Sequence, residues 1–210
     1  GIQSLHNDGL AFLGRAHSAD EACNALEQAL TLFDRVSADL IYGLPEQTAA
    51  EWQQQLTQII GFGIQHLSAY QLTIEPGTIF HSRTRAGAIL TAEPDHVADL
   101  YELTEDIAAA AGLPAYEVSN YAAANNQARH NLTYWQSGNW IAVGPGAHGR
   151  ITYPHQQKRR HFRLRRSPGG WLNDVASNGH AIEEDRIEAA CDMYEEYWMM
   201  GLRLVKGMPL

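Results

Sequence analysis

The order of apolar and polar positions divides the chain into amphipathic helices and short apolar strands. Ser18 and Glu21 stand at the spacing of a capping box. After them Ala22, Ala25, Leu26, Ala29 and Phe33 fall on one helical face. The run Ala38-Asp39-Leu40-Ile41-Tyr42 is short, apolar and stopped by Gly43 and Pro45, the pattern of a buried strand in a parallel sheet. Thr48 and Glu51 repeat the capping-box spacing, Trp52, Leu56, Ile59 and Ile60 supply the next apolar stripe, and Gly61 and Gly63 suit its end. Residues 64–74 predict a second strand, ended by Glu75-Pro76-Gly77. Pro94 opens a third helix with Val97, Leu100, Tyr101, Ile107, Ala108 and Ala111 turned inward, and Gly112 with Pro114 closes it. Residues 115–118 and 140–143 read as further strands, with a polar small-residue loop over 119–127 between them. A last helix is expected over about 185–204, with Ile187, Ala190, Met193 and Tyr194 as its inner face.

Strands and helices that alternate with short connections predict an α/β fold with a largely parallel sheet. A full eight-fold barrel needs about 250 residues, so a partial barrel, or an open half of one, fits the repeats better. In such folds the loops after the C-terminal ends of the strands carry function. Gln3, Asp39, Thr73 with Glu75, and Glu117 are the polar residues expected there. The first residues read as the end of a strand and the last ones stop just after a helical pattern, so the chain reads as an interior piece of a longer protein.

Composition narrows the classes. Hydrophobic residues make up 45% of the 210 residues and charged residues 19%, enough to bury a core. A formal charge of −9 argues against non-specific nucleic-acid binding, which needs a basic surface. No apolar run approaches the roughly 20 residues of a membrane span. Cys23 and Cys191 are too far apart to form a multi-cysteine metal site or disulfide framework by themselves, and a reduced, cytoplasmic protein is expected. No nucleophile motif and no H-E-x-x-H is present, so a simple hydrolase finds no support.

Four features could carry chemistry. Asp39 is a carboxylate set in an apolar strand, which fits a group capping the next loop and a ligand contact equally well. Arg15 alone reads as a surface ion pair. His130-Asn131-Leu132-Thr133-Tyr134-Trp135 gathers an imidazole, an amide, a phenol and an indole. Those groups could suit iron and a flat apolar macrocycle, but the residues alone favour an aromatic core of Tyr134 and Trp135 beside a hydrogen-bonded loop histidine. Gly144-Pro145-Gly146-Ala147-His148-Gly149 is either an anion-cradling loop or a tight turn. Residues 158–166 form a basic run (Lys158, Arg159, Arg160, His161, Arg163, Arg165, Arg166) that reads as a solvated loop or as a partner for carboxylates such as porphyrin propionates.

Together the motifs resemble a known family. Gly1-Ile2-Gln3-Ser4, Leu13-Gly14-Arg15-Ala16-His17 and Asp39-Leu40-Ile41-Tyr42-Gly43-Leu44-Pro45 with Gln47-Thr48 resemble the radical S-adenosylmethionine family of oxygen-independent coproporphyrinogen III oxidases and their relatives. Leu72-Thr73-Ile74-Glu75-Pro76-Gly77-Thr78, Tyr116-Glu117-Val118-Ser119-Asn120-Tyr121, the His130 to Trp135 motif and Gly144-x-Gly146-Ala147-His148 resemble its HemW branch of heme chaperones.

The resemblance implies a fold and a function. Residues 1–118 would be the C-terminal part of a radical SAM partial (β/α) barrel. Residues 119–210 would be a post-barrel region and the start of a C-terminal domain. S-adenosylmethionine would be held by Gln3, Arg15 and Asp39, with a backbone contact near Thr73. His130, Asn131, Tyr134 and Trp135 would be associated with heme, His130 as an iron ligand. The [4Fe–4S] cluster of the parent would sit on cysteines outside this chain, so the chain itself has no cluster ligands and is expected to be inactive alone. Heme and heme-accepting proteins are the implied partners. The alternative in the same family is the oxidase itself, which decarboxylates porphyrinogen propionates through a radical.

Overall fold

The computed structural model describes residues 1–209, with the side chain of Pro154 outside the described set. It divides into two compact units, Gly1–Gln127 and Ala128–Leu210.

The first unit runs α1 (Asn7–Phe12), α2 (Ala19–Leu32), β1 (Ser37–Tyr42), α3 (Ala49–Gly61), β2 (His66–Gln71), α4 (Ile79–Arg85), α5 (Pro94–Ala110), β3 (Ala115–Glu117) and β4 (Asn120–Ala122). Both capping boxes form. Ser18 Oγ accepts from Glu21 N at 3.2 Å while Glu21 accepts from Ser18 N at 2.8 Å, and Thr48 with Glu51 repeats the same two bonds. The sheet order is β1-β2-β4-β3, with β1 and β2 parallel and β4 antiparallel to both its neighbours. Alternation along β1 sends Ala38, Leu40 and Tyr42 to one face, where Trp52, Leu56 and Ile59 of α3 and Leu100 of α5 complete the core. Trp52 is fully buried, and its Nε1 donates to Thr104 Oγ1 at 2.8 Å.

Several expectations are corrected here. Phe33 is 64% exposed, because α2 stops at Leu32 and Phe33 adopts extended backbone that turns it off the helical face. Ala25 is also exposed, and Ala111 lies beyond the buried stripe of α5. β2 is shorter than 64–74, and residues 79–85, assigned no element, form a helix capped by Thr78, whose Oγ1 accepts from His81 N at 3.1 Å. The loop expected over 119–127 contains β4, so the sheet is mixed. β4 is short and polar at Asn120, so only its pairing to β2, distant in sequence, and to the neighbouring β3 makes it a strand.

The second unit runs α6 (Arg129–Trp135), β5 (His148–Tyr153), β6 (Lys158–Leu164), α7 (Pro168–Asn178), β7 (Ile182–Ile187) and α8 (Ala190–Gly201), with an antiparallel sheet in the order β5-β6-β7. The expected strand at 140–143 is absent: Trp140 makes a single bridge to Arg150, and Ile141 and Val143 are 72% and 78% exposed. The last helix begins at Ala190, because Asp185 and Ile187 are held in β7 opposite Phe162 and Arg160. Tyr194 is exposed rather than inward.

The basic run from Lys158 to Leu164 is the central strand, not a loop, and Arg165 and Arg166 follow it. Arg160 holds Asp185 through two bonds of 2.8 and 2.7 Å, and Arg163 pairs with Glu183 at 3.0 Å and with Glu184. Arg165 pairs with Asp174 of α7, and Arg159 lies 3.9 Å from Glu196 of α8. Gly149 faces Phe162 across β5 and β6, and a Cβ there would stand 2.2 Å from the ring, so only glycine admits the aromatic. Arg150 Nε sits between two carboxyls, 3.4 Å from Glu188 and 3.1 Å from Glu196. Burial first, and the Glu196 charge second, push the Glu188 carboxyl above its ordinary value, against the pull of Arg150 and Arg159.

Two outcomes follow from this packing. Thr104→Val keeps the shape but leaves the buried Trp52 N–H without an acceptor. It is expected to cost about 1–3 kcal/mol in urea unfolding of the full chain, and an unchanged midpoint would show the bond to be dispensable. Folded Glu188 retains its proton at a pH where the unfolded carboxyl has lost it. The stability this contributes is complete at low pH and is lost as pH rises from the ordinary value of 4.5 through the raised folded value. Glu188→Gln removes that loss, so the urea midpoint of the variant should gain on the wild type over the range where pH rises above 4.5. Midpoints that move in parallel over that range would contradict it.

Candidate functional site

In the first unit the face of the sheet opposite the helices is polar. Asp39 is the third residue of β1, inside the strand rather than at its C-terminal end, and its register partner on β2 is Ser68. Ser68 Oγ donates to Asn120 Oδ1 at 2.7 Å, and Asn120 Nδ2 donates to Glu117. Glu117 is fully buried and also accepts from Ser119 N at 2.9 Å, so this carboxylate is held by amides. His66 joins three strands on the same side: Ser37 Oγ lies 2.7 Å from its Nδ1 and Tyr116 Oη 2.9 Å from its Nε2. This polar network was not foreseen beyond Glu117. Its only trace in the sequence is the alternation of Ser37, Asp39 and Ile41 with the apolar core residues.

Gln3 docks on the edge of β1. Its N–H donates to Asp39 O at 2.7 Å and its carbonyl accepts from Ile41 N at 2.8 Å, with φ at +73°. A non-glycine residue in the left-handed region carries backbone strain that the two bonds hold in place. Arg15 follows Gly14, whose φ of +68° turns the chain back, and Arg15 Nη2 donates to Gln3 Oε1 at 3.1 Å. Gln3, Arg15 and Asp39 therefore cluster. Thr73 does not join them: it is exposed, bonds only within its own turn to Gln71 O at 3.3 Å, and lies on the order of 15 Å farther along the strand direction than Asp39. The Asp39 side chain is 36% exposed and open to a ligand.

In the second unit, α6 places His130 and Tyr134 one turn apart with ring centroids 6.0 Å apart, and Tyr134 meets Trp140 edge-on at 4.8 Å. Tyr134, Trp140 and Ile141 form a wall shared by two grooves. One, of about 440 Å³, is lined also by His130 and Asn139. The other, of about 540 Å³, is lined also by Trp135, Val143, His148 and Met200. The four residues of the His130 motif thus divide: His130 and Tyr134 share one groove, Trp135 lines the other, and Asn131 is half-buried on the same helix. The Arg203 guanidinium covers the Trp135 ring at 4.4 Å. The exposed Ile141 and Val143, which look like a strand in the sequence, are groove wall.

The glycine-rich segment is a turn. Gly144 and Gly146 have φ of +94° and +72°, and Gly146 N is engaged by Arg165 O at 2.9 Å, so that amide is not available to an anion. The turn delivers His148 to the start of β5, where its Nδ1 lies 3.4 Å from His161 Nε2. Partial burial, then the Arg150 charge, holds both imidazoles below their ordinary range; Arg163 and Arg166 add to this at His148, and Arg186 at His161. Among the described residues no group of three or more His, Cys, Asp or Glu side chains could hold a metal ion, and no helix is long and apolar enough to cross a membrane.

Comparison with known proteins gives the lineage. No family model matches the chain. It is 38% identical over 213 residues to radical S-adenosyl methionine domain-containing protein 1, mitochondrial, of Mus musculus, covering 99% of this chain and 48% of that one. It is 37% identical over 210 residues to the heme chaperone HemW of Haemophilus influenzae and of Escherichia coli, covering all of this chain and 52% and 53% of theirs. Among solved structures it resembles the coproporphyrinogen III oxidase HemN of Escherichia coli, a radical SAM enzyme, with a TM-score of 0.75 at 17% identity, over 96% of this chain and 48% of that one. That likeness shows the mixed α/β fold to be of the HemN kind. The chain spans about half the length of the curated relatives it matches, and over that span it is similar to the HemW heme chaperones and to the radical S-adenosyl methionine domain-containing protein 1.

Proposed function

We propose that the protein to which this chain belongs is a heme chaperone, binding heme and passing it to acceptor proteins. The observation that carries this reading is the groove on α6, where His130 stands at the rim of an aromatic wall of Tyr134 and Trp140 in a chain related throughout to HemW. An exposed imidazole beside aromatic rings is the donor set that heme iron and a flat apolar macrocycle need. The oxidase reading has the fold alone in its favour, at 17% identity.

In the same proposal the first 118 residues are the C-terminal part of the radical SAM partial barrel and 119–210 begin the region that follows it. Gln3, Arg15 and Asp39 would hold S-adenosylmethionine, since an amide, a guanidinium and a half-exposed carboxylate suit its ribose hydroxyls, ammonium and carboxylate. Thr73 would contribute from the end of β2. With a [4Fe–4S] cluster, whose cysteines the resemblance places outside this chain, that cofactor supplies one-electron chemistry. A cytoplasmic setting belongs to the proposal for this chain, while relatives named as mitochondrial are among those it matches.

Titration of the full chain with heme, read by absorbance, is expected to give a saturable Soret shift that His130→Ala weakens by roughly tenfold or more. Saturable binding unaffected by the substitution would remove His130 from the site. Absence of binding by a folded chain would overturn the proposal for this segment.

A further inference from the structure

Among the described residues, Arg166 stands apart from the rest of the basic run. Arg159, Arg160, Arg163 and Arg165 each have a carboxylate within 4 Å, whereas Arg166 makes no ion pair or hydrogen bond among the described residues. It lies beside the glycine turn, where a Cβ built on Gly146 would stand 3.7 Å from Arg166 Cγ, and its charge acts on His148. His148 in turn lines the larger aromatic groove.

The proton on His148 is placed by a chain of three groups. Arg186 Nε is 3.1 Å from His161 Nδ1, and a guanidinium only donates, so His161 Nδ1 is the acceptor. The proton of the neutral His161 ring is therefore on Nε2, which faces His148 Nδ1 at 3.4 Å and donates to it. The nearest carboxyl oxygen, on Glu188, is 3.8 Å from His161 Nδ1, beyond hydrogen-bond reach. His148 Nδ1 is thus an acceptor and its own proton is on Nε2, an atom that has no hydrogen-bond partner among the described residues. A metal ligand would need a bare Nε2. Reversing the relay would set the Arg186 and His161 N–H groups against each other.

Resting on the heme reading above, we propose that His148 and Arg166 form a carboxylate clamp for a flat apolar ligand that lies on the Tyr134 and Trp140 wall shared by the two grooves and reaches its acid edge into the groove of Trp135, Val143 and Met200, with His148 donating through Nε2–H and not binding the iron. A guanidinium and an imidazole N–H beside an aromatic trough match a planar apolar body that carries an acid at its edge. For heme, that acid is a propionate.

The test uses the full chain with three probes: heme, iron-free protoporphyrin IX, and protoporphyrin IX dimethyl ester, followed by absorbance and fluorescence. His148→Ala and Arg166→Ala are each expected to weaken heme and iron-free protoporphyrin IX alike, by roughly tenfold, and to leave the dimethyl ester unchanged. His148→Gln, which keeps an N–H at that end of the side chain, should retain most of the affinity. Loss of heme affinity alone on His148→Ala would overturn the clamp and make His148 an iron ligand. Equal weakening of the acid and the ester would also overturn it, as would variants that bind all three probes like the wild type. Failure of the wild-type chain to bind any porphyrin would instead overturn the heme reading itself.

Discussion

The pairing of the β6 guanidiniums with carboxylates on β7 and α8 is the constraint on which the second unit rests. A strand carrying Arg159, Arg160 and Arg163 in succession with Lys158 would repel itself if left in solvent. Here each arginine meets an acidic group on the adjoining strand or helix, and those ion pairs hold the register of β6 against β7. Single exposed pairs contribute little, but Arg159 and Arg163 are buried, and leaving either without its partner would strand a buried charge. Partial burial, and then the Arg150, Arg163 and Arg166 charges, hold the His148 imidazole below its ordinary range, and Arg186 sets the tautomer of His161.

The groove depends on that scaffold. β5 pairs with β6 and carries His148 at its first position, and the glycine turn before it brings Arg166 alongside. α6 supplies the aromatic wall, and the irregular segment after it leaves Ile141 and Val143 exposed on the groove. In the proposed reading, the apolar surface kept open beside the two imidazoles and the Arg166 guanidinium takes an amphipathic planar molecule.

The first unit divides its work between the two faces of one sheet. The helical face is closed by Trp52 and its bond to Thr104. On the other face Glu117 is fully buried and accepts from two amides, whereas Asp39 is partly open and stands beside Gln3 and Arg15. Two carboxylates on one face therefore differ in what they offer: Glu117 holds the strands together, and Asp39 remains accessible. The strained backbone of Gln3 sits at the accessible end.

The sequence by itself determined the helices α2, α3 and α5 with their caps, the strand β1, and the motifs that lead to the family. Those features are written in local spacing, three or four residues for a helix face and two for a strand, so they can be read without knowing what packs against them. Only the tertiary structure decided the rest. β4 has no apolar alternation and becomes a strand by filling the gap between β2 and β3. β6 reads as a solvated charge run, and the end of β7 as the start of the last helix, until each strand supplies the other's counter-charges. Residues 140–143 look like a strand, yet among the described residues they make a single bridge, from Trp140 to Arg150, and Ile141 and Val143 are left exposed. The role of His148 was equally hidden, because its proton is placed by Arg186, thirty-eight positions away along the chain and two side chains away in space. Charge pairing and proton placement depend on partners distant in sequence, and a local pattern carries no record of them.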